Sequence, residues 1–274
     1  MAPESDVEAI EIRLLLEAIH AKYGYDLRDY AQTSMRRRVL AALAKSGLKH
    51  LGELQHQLLG DGGFFADVLD DLTVRVTEMF RDPGFYRAFR QRVVPLLRTY
   101  PLLKIWHGGC ASGEEAYGNA IILEEEGLYD RCQLYATDLN PRALEQAQHG
   151  LYPADRFGLF GENYEKAGGK FKLSSYYTEA YSQVALRESL KRNILFFQHN
   201  LVSDHVFGEM HVIFCRNVFI YFDPGLRRRV LEKFAQSLCP GGFLCLGAGE
   251  RLPRASLLPF VEFSSEERIY RHAG

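Results

Sequence analysis

Two adjacent acids near the middle of the chain are the side chains best suited to hold a charged ligand. Glu114 and Glu115 begin a helix-like segment. They follow a strand-like run, 104–107, which contains the apolar Ile105 and Trp106 and precedes Gly108 and Gly109. Glycine lets backbone N–H groups approach a ligand closely, and a helix directs its partly positive amino end to the same place. We therefore expect a ligand-binding turn between this strand and this helix.

The charges around the turn indicate the kind of ligand. A phosphate-binding loop carries Lys and then Ser or Thr after its last glycine, whereas Gly113 is followed by Glu114. A third acid, Asp138, ends the next strand-like run, where dinucleotide-binding folds hold a ribose. A ligand with a ribose, positive groups and no phosphate points to S-adenosylmethionine. NAD fits less well because the glycines lack the G-x-G-x-x-G spacing, and an ordinary tight turn is the structural alternative.

The composition is typical of a globular protein. The chain has 274 residues, of which 47% are hydrophobic and 25% charged. A net charge of −2 argues against nucleic-acid binding, and no run approaches the ~20 apolar residues of a membrane helix. The acidic start, 1–6, is unlike a secretory signal, so we expect a cytoplasmic protein without membrane insertion. The five cysteines form no C-x-x-C pair and the nine histidines no H-E-x-x-H motif, so no metal site is predicted.

The spacing of apolar residues divides the chain into three parts. Residues 1–75 have helical periodicity interrupted by glycines, which predicts an all-helical domain of about four helices. Residues 76–103 contain a polar linker and a helix with Asp82 as N-cap and Pro83 at the first position. From 104 to 274, short apolar strands alternate with helices, which predicts a Rossmann-like, doubly wound α/β sheet.

Two parts of this α/β region depart from the alternation. Residues 171–195 are rich in β-forming residues, and they predict a small antiparallel β insertion. The runs 260–263 and 268–271 predict a hairpin that adds to one edge of the main sheet.

Six short segments occur in an order that is specific as a set. They are MRRRV (35–39), VTEMFRDP (76–83), CASGEEAY (110–117), ATDLN (136–140), HNL (199–201) and IFCRNVFIYFD (213–223). Together, over nearly the whole chain, they resemble the chemotaxis-receptor methyltransferases, the CheR-type enzymes that methylate receptor glutamates.

The resemblance implies a cofactor and its contacts. The methyl donor in the family is S-adenosylmethionine, with S-adenosylhomocysteine as product. Arg81 and Tyr221 match residues that line the methyl-transfer site. Positions that match cofactor contacts are Thr77, Arg81, Glu115, Asp138, Asn200, Leu201, Arg216 and Asn217, and the turn from Gly109 to Gly113 would cradle the methionyl part.

The resemblance also implies how a substrate is held. The family's helical domain presents basic residues to the acidic helical bundle of the receptor, which assigns substrate docking to Arg36, Arg37 and Arg38. A solvated helix face is the alternative. The family's three-stranded insertion matches 171–195 and in some members docks a receptor's C-terminal peptide. We expect the enzyme to be a monomer.

Two residues depart from the family pattern. Arg75 stands where Asn is usual, two residues before the Thr, so it either replaces the amide's contact to the methionyl carboxylate or points away. His107 stands where a small residue is common, which affects the packing of the turn.

Methyl transfer to a carboxylate needs no general base. A glutamate has an unperturbed pKa of ~4.3 and is already ionised at neutral pH. On this hypothesis Glu115 pairs with the cofactor's ammonium, Asp138 accepts hydrogen bonds from the ribose, and Arg81 orients a carboxylate. The alternatives are that Asp138 caps the helix beginning near Pro141 and that Arg81 forms an ordinary ion pair.

Two other functions are compatible with this fold. A small-molecule carboxyl or hydroxyl methyltransferase would need neither the arginine cluster nor the insertion. A non-catalytic domain that binds S-adenosylmethionine, or that docks on a signalling partner, is supported only by Arg75.

Overall fold

The computed structural model describes residues 4–73, 77–252 and 258–274, and these form two compact units. The first unit comprises Met1–Val74, Asn200–Asp204 and Phe219–Val230, and the second comprises Arg75–His199, His205–Val218 and Leu231–Gly274. The first unit therefore takes in two short segments that the sequence assigns to the methyltransferase domain. Within the described ranges, no helix is long and apolar enough to cross a membrane.

Four helices make up most of the first unit, as predicted. They are α1 (Glu4–Tyr23), α2 (Gln32–Ser46), α3 (Leu51–Gly60) and α4 (Gly62–Leu72). Gly47 ends α2 in a left-handed conformation with φ of 73°. Asp61 begins α4, since its side chain accepts hydrogen bonds from the amides of Gly63 and Phe64.

The second unit is built on a seven-stranded sheet, which confirms the predicted α/β class. Its strands, in the order β6-β2-β1-β7-β8-β10-β9, are β1 (Leu103–Gly108), β2 (Cys132–Asp138), β6 (Ile194–Gln198), β7 (Met210–Cys215), β8 (Leu238–Leu246), β9 (Phe260–Ser264) and β10 (Ile269–His272). The first five strands in this order pair in parallel. β10 and β9 form the predicted antiparallel hairpin at one edge.

The strand order reverses beside β1. The chain proceeds from β1 to β2 and β6 on one side, and it then continues with β7 and β8 on the other side. Open α/β sheets bind ligands at the carboxyl ends of the strands, at such a reversal. The ends of β1, β2 and β7 are therefore the expected place for a site.

Several helices alternate with these strands along the chain. They are α5 (Pro83–Ala88), α6 (Val94–Leu97), α7 (Glu114–Glu125), α8 (Pro141–His149) and α11 (Pro224–Ser237), with a π-helical turn, Phe89–Val93, between α5 and α6. α7 begins at Glu114 and α8 at Pro141, as predicted from the sequence. The aromatic rings of Phe85 and Phe89 pack on Phe214 of β7 in the buried core.

A second, three-stranded antiparallel sheet lies within the same unit. Its strands, in the order β3-β5-β4, are β3 (Leu151–Pro153), β4 (Tyr177–Ala180) and β5 (Gln183–Leu186), and the helices α9 (Phe157–Lys166) and α10 (Glu188–Lys191) lie beside them in the chain. The small antiparallel sheet is present as predicted, but the predicted bounds of the insertion, 171–195, are wrong at both ends. Its third strand comes earlier, and residues 194 and 195 belong to β6 of the main sheet.

Candidate functional site

The turn after β1 requires glycine at two positions. Gly109 and Gly113 have left-handed backbones, with φ of 78° and 89°. A Cβ atom on Gly109 would lie 2.6 Å from Cγ2 of Val218, and one on Gly113 would lie 2.8 Å from Cβ of Ala147. Neither approach leaves room for a side chain, so both glycines are needed to pack the turn.

The protein itself already engages several amides of this turn. The amides of Gly109 and Cys110 donate to the carbonyl of Thr137 at 2.8 and 2.9 Å. The amide of Ala111 donates to Oδ2 of Asp138 at 2.8 Å. These bonds tie the end of β1 to the end of β2. The turn thus contributes its shape and the acids that it positions, while these three amides are committed to the fold.

Asp138, at the end of β2, is available for a role other than helix capping. Besides the amide of Ala111, it accepts the amide of Asn140 at 2.9 Å. Asn140 is the N-cap of α8 and accepts the amides of Arg142 and Ala143, so the capping alternative for Asp138 is wrong. Burial raises the pKa of Asp138, and the backbone hydrogen bonds oppose that rise. Each carboxylate oxygen can accept a second hydrogen bond, as a ribose diol would require.

Glu115, in the first turn of α7, is held by a donor on each oxygen. Nδ1 of His107 lies 3.1 Å from Oε1, and Nη1 of Arg216 lies 3.3 Å from Oε2. Burial alone would raise the pKa of Glu115, but the bond to His107 and the charge of Arg216 outweigh it and hold that pKa below its usual value. An ionised, partly enclosed carboxylate suits a ligand ammonium.

Arg216 follows β7 and connects the charged groups of the site. Nη1 donates to the hydroxyl of Tyr86 at 3.2 Å as well as to Glu115. Nη2 donates to Oδ2 of Asp82 at 2.9 Å and to the carbonyl of Arg81 at 3.1 Å. The side chain is only 2% exposed. This enclosure fits a role in placing Glu115, and a direct contact between Arg216 and the cofactor stays a prediction.

The segment before α5 is strained next to Arg81. Phe80 and Asp82 have φ of 57° and 59°, a region that is uncommon for residues other than glycine. α5 begins at Pro83 as predicted, but the side chain of Asp82 makes no capping hydrogen bond. Asp82 thus occupies the predicted N-cap position, but its side chain pairs with Arg216 instead of capping the helix.

Arg81 is a half-buried arginine that follows Phe80 in this segment. In the part of the chain that the structure describes, its guanidinium has no hydrogen bond or ion pair. The ordinary ion pair considered from the sequence is therefore not found among these residues. A planar guanidinium with free donors is well suited to bind a carboxylate.

Sequence reasoning missed Arg156, which bridges two parts of the site. Nη1 donates to Oε1 of Glu114 at 2.7 Å, and Nη2 donates to the carbonyl of Thr77. Glu114 is fully buried and also accepts the hydroxyl of Ser112 at 2.7 Å. Burial raises the pKa of Glu114, and these partners oppose the rise. The first acid of the pair is thus a partner of Arg156, and only Glu115 remains for a ligand.

Glu250 is a second residue that the sequence did not indicate. It is 4% exposed, and its Oε2 accepts the amides of Asn217 at 2.9 Å and Gly247 at 2.7 Å. Asn217 has a left-handed backbone with φ of 61°. Glu250 therefore fixes the residues that follow β7 and β8. The only signal in the sequence is an acid shortly after an apolar strand.

Two other predicted cofactor contacts, Asn200 and Leu201, belong to the first unit and are buried. The amide of Asn200 donates to Asp204 at 2.8 Å, and its side-chain oxygen accepts the amide of Val202 at 2.9 Å. Their contact with a cofactor stays a prediction. Arg75 lies outside the described residues.

Arg38 and Tyr221 contact each other within the first unit. The guanidinium carbon of Arg38 lies 4.4 Å from the centroid of the Tyr221 ring, and its Nη1 donates to the carbonyl of Leu72 at 2.7 Å. Arg38 is 8% exposed, so its assignment to the docking surface is wrong, whereas Arg36 and Arg37 are exposed. The predicted role of Tyr221 in methyl transfer remains open to test.

The side chains of the second unit fit the groups of S-adenosylmethionine. Glu115 matches an ammonium, Asp138 matches a ribose diol, and Arg81 matches a carboxylate of either the cofactor or an acceptor. Glu115 and Asp138 follow neighbouring strands at the reversal of the sheet.

Comparison with known proteins covers both units. Two family models match: "CheR methyltransferase, all-alpha domain" over residues 10–73 and "CheR methyltransferase, SAM binding domain" over residues 75–266. The chain is 45% identical to the putative methyltransferase Cher3 of Pseudomonas putida over 96% of each chain. It is 30% identical to chemotaxis protein methyltransferase 1 of Vibrio cholerae, over 88% of this chain and 89% of that protein. A chemotaxis protein methyltransferase of Listeria monocytogenes is 29% identical, over 84% and 85%.

Proposed function

Since the chain belongs to the CheR methyltransferase family, we propose that it methylates glutamate side chains on the cytoplasmic helices of chemoreceptor-type signalling proteins. The family identifies an S-adenosylmethionine-dependent methyltransferase. The observation that supports a carboxylate as the acceptor is Arg81, a half-buried guanidinium without an ion pair among the described residues.

The cofactor is held by two acids with different tasks. Glu115 pairs with the ammonium of its methionyl part, because His107 and Arg216 keep that carboxylate ionised. Asp138 accepts hydrogen bonds from the ribose hydroxyls. Thr77 lies in the segment that Arg156 fastens to α7, so this segment is held near the same end of the sheet.

Transfer itself depends on positioning. When bound, S-adenosylmethionine supplies a methyl carbon that a carboxylate oxygen attacks as the carbon–sulfur bond breaks, so no proton has to move. Arg81 orients the acceptor carboxylate in line with that bond, and Tyr221 has the role in methyl transfer that the family resemblance implies. Such positioning is worth several orders of magnitude in rate without any acid–base group.

Receptor docking is assigned to the exposed arginines of α2. Arg36 and Arg37 face solvent, and Arg36 is paired with Glu8. Arg37 has no hydrogen bond or ion pair within the described residues. An acidic helical bundle would therefore meet Arg37 first, and it would compete with Glu8 for Arg36.

Transfer of labelled methyl from S-adenosylmethionine into co-expressed receptors tests this function. We expect base to release the label as methanol, because a carboxyl ester is base-labile. The label should disappear when the receptor's acceptor glutamates are changed to Ala. Arg81→Ala should lower the transfer rate at least ~100-fold, since positioning effects have this size, while S-adenosylhomocysteine still binds. Arg81→Lys should restore little, because Lys lacks the planar pair of donors.

Thermal unfolding of each variant is the control for folding. Base-stable label, or label in small molecules only, would refute glutamate methylation. A normal rate for Arg81→Ala would remove Arg81 from the site.

A further inference from the structure

His107 is a histidine of β1 that lies wholly inside the protein beside Glu115. Its side chain is 0% exposed. Its ring is stacked on Phe214, with centroids 4.7 Å apart and ring planes within 6°. The hydrogen bond from Nδ1 to Oε1 of Glu115 is 3.1 Å long. One face of the His107 ring therefore packs on Phe214, while Nδ1 at its edge forms a hydrogen bond with Glu115.

The charge of Glu115 decides which nitrogen carries the proton. An ionised carboxylate only accepts hydrogen bonds, so Nδ1 of His107 must be the donor. The other nitrogen, Nε2, is buried and has no partner within the described part of the chain. A buried nitrogen without a partner costs stability, and a phenyl ring would stack on Phe214 without that cost. Packing alone therefore does not account for a histidine here.

The two groups that donate hydrogen bonds to Glu115 differ in charge, which determines how much negative charge on Glu115 is available to a ligand. Arg216 is charged, but it also pairs with Asp82 at 2.9 Å, so its charge is shared between two acids. His107 donates a hydrogen bond without needing a charge of its own. Together they fix the carboxylate of Glu115 from both oxygens and leave negative charge for a cation.

We propose that His107 is a positioning residue for the methyl donor, holding the carboxylate of Glu115 in the orientation that receives the ammonium group. This inference rests on the proposed function, because it takes Glu115 as the partner of that ammonium.

Two substitutions separate the hydrogen bond from the packing. His107→Phe keeps a ring against Phe214 but removes the donor. His107→Asn keeps a donor close to the position of Nδ1 but removes the ring. If the hydrogen bond matters, the Asn variant binds the cofactor better than the Phe variant, whereas a role in packing alone gives the reverse order.

Two ligands separate an effect on the ammonium from a general effect on the site. S-adenosylhomocysteine carries the amino-acid group, and 5′-methylthioadenosine has the same adenosine and sulfur without it. Titration calorimetry with the full chain gives both dissociation constants for each variant. We expect His107→Phe to weaken S-adenosylhomocysteine about tenfold, as for the loss of a hydrogen bond to a charged group, and to leave 5′-methylthioadenosine within about twofold. His107→Asn should weaken S-adenosylhomocysteine less than His107→Phe does.

Equal weakening of both ligands, or no weakening in His107→Phe, would overturn the proposal. Glu115→Gln distinguishes this failure from a failure of the cofactor site. If Glu115→Gln loses the preference for S-adenosylhomocysteine while His107→Phe keeps it, only the role of His107 is refuted. If both variants keep the preference, Glu115 does not bind the ammonium. The assignment of the ammonium to Glu115 and the role of His107 are then both refuted.

Discussion

Glu115 and Asp138, the two acids that we propose hold the cofactor, have pKa values displaced in opposite directions because their partners differ. Asp138 is held by backbone amides, which carry no full charge, so burial dominates and raises its pKa. Glu115 has His107 and Arg216, whose combined effect exceeds that of burial and lowers its pKa. On acidification Asp138 therefore loses its charge above the ordinary pKa of an Asp, and Glu115 keeps its charge below the ordinary pKa of a Glu.

The direction for Asp138 predicts how ligand binding depends on pH. A raised carboxyl pKa means that the ionised form is lost above the ordinary value of ~3.9 for Asp, so affinity for adenosine ligands should already fall above that pH. Titration of 5′-methylthioadenosine from pH 7 to mildly acid conditions measures the effect without the amino-acid group. Asp138→Asn should bind more weakly throughout and lack the acid loss, whereas Glu115→Gln should retain it. An acid loss that persists in Asp138→Asn would assign it to another group, and circular dichroism at each pH checks folding.

Single residues could be assigned from the sequence where a strand end fixes their position. Glu115 and Asp138 follow apolar strands, and parallel strands bring their carboxyl ends together, so their proximity could be predicted. Arg38 could not be separated from Arg36 and Arg37, because successive helical residues point about 100° apart and only the packing of Leu72 and Tyr221 shows which is inward.

At the level of elements, long strands and helices were predictable and short ones were not. α8 has an N-cap, Asn140, and a C-cap glycine, Gly150, and α7 begins with two acids directly after a glycine turn. β3 has only three residues, and α9 separates it from its partner β5. No local pattern predicts so short a strand, because the residues of β5 that pair with it are distant in the sequence. The residues just after β3 were consequently missed, although they reach the site.

Residues in β3 and just after it connect the small sheet to the turn after β1. The hydroxyl of Tyr152 donates to the carbonyl of Ser112 at 2.6 Å, and Arg156 pairs with buried Glu114. We expect Arg156→Met to weaken S-adenosylhomocysteine about tenfold and to lower the thermal midpoint, because Glu114 would be left buried without its cation and Thr77 would lose a donor. Calorimetry and thermal unfolding measure both effects.

A double substitution and a matched surface pair are the controls for Arg156. Arg156→Met combined with Glu114→Gln should regain part of the lost stability, since no unpaired charge is then buried. Arg187→Met removes an exposed ion pair with Glu124, 2.8 Å long, next to the same sheet and should change little. Equal losses in Arg156→Met and Arg187→Met would contradict a specific link to the site.

For the molecule as a whole, attraction to an acidic receptor has to come from a local patch, because the net charge is −2. Two arginine triples are candidates, 36–38 on α2 and 227–229 on α11. Arg37 is the exposed member of the first triple without an ion pair among the described residues, and Arg228 is an exposed member of the second. Arg37→Glu and Arg228→Glu change the net charge equally, so a difference between them does not come from total charge.

We expect Arg37→Glu to reduce receptor methylation about tenfold or more at low ionic strength, because charge reversal replaces attraction to the acidic bundle by repulsion. The difference from the unmodified protein should narrow as salt is added, since the Debye length falls to ~3 Å at 1 M. Affinity for S-adenosylhomocysteine should not change, because α2 carries none of the acids assigned to the cofactor. Arg228→Glu should leave the methylation rate within about twofold, because docking is assigned to α2 and not to α11. If the two variants lost activity equally, the receptor would respond to total charge, and α2 would have no special part in docking.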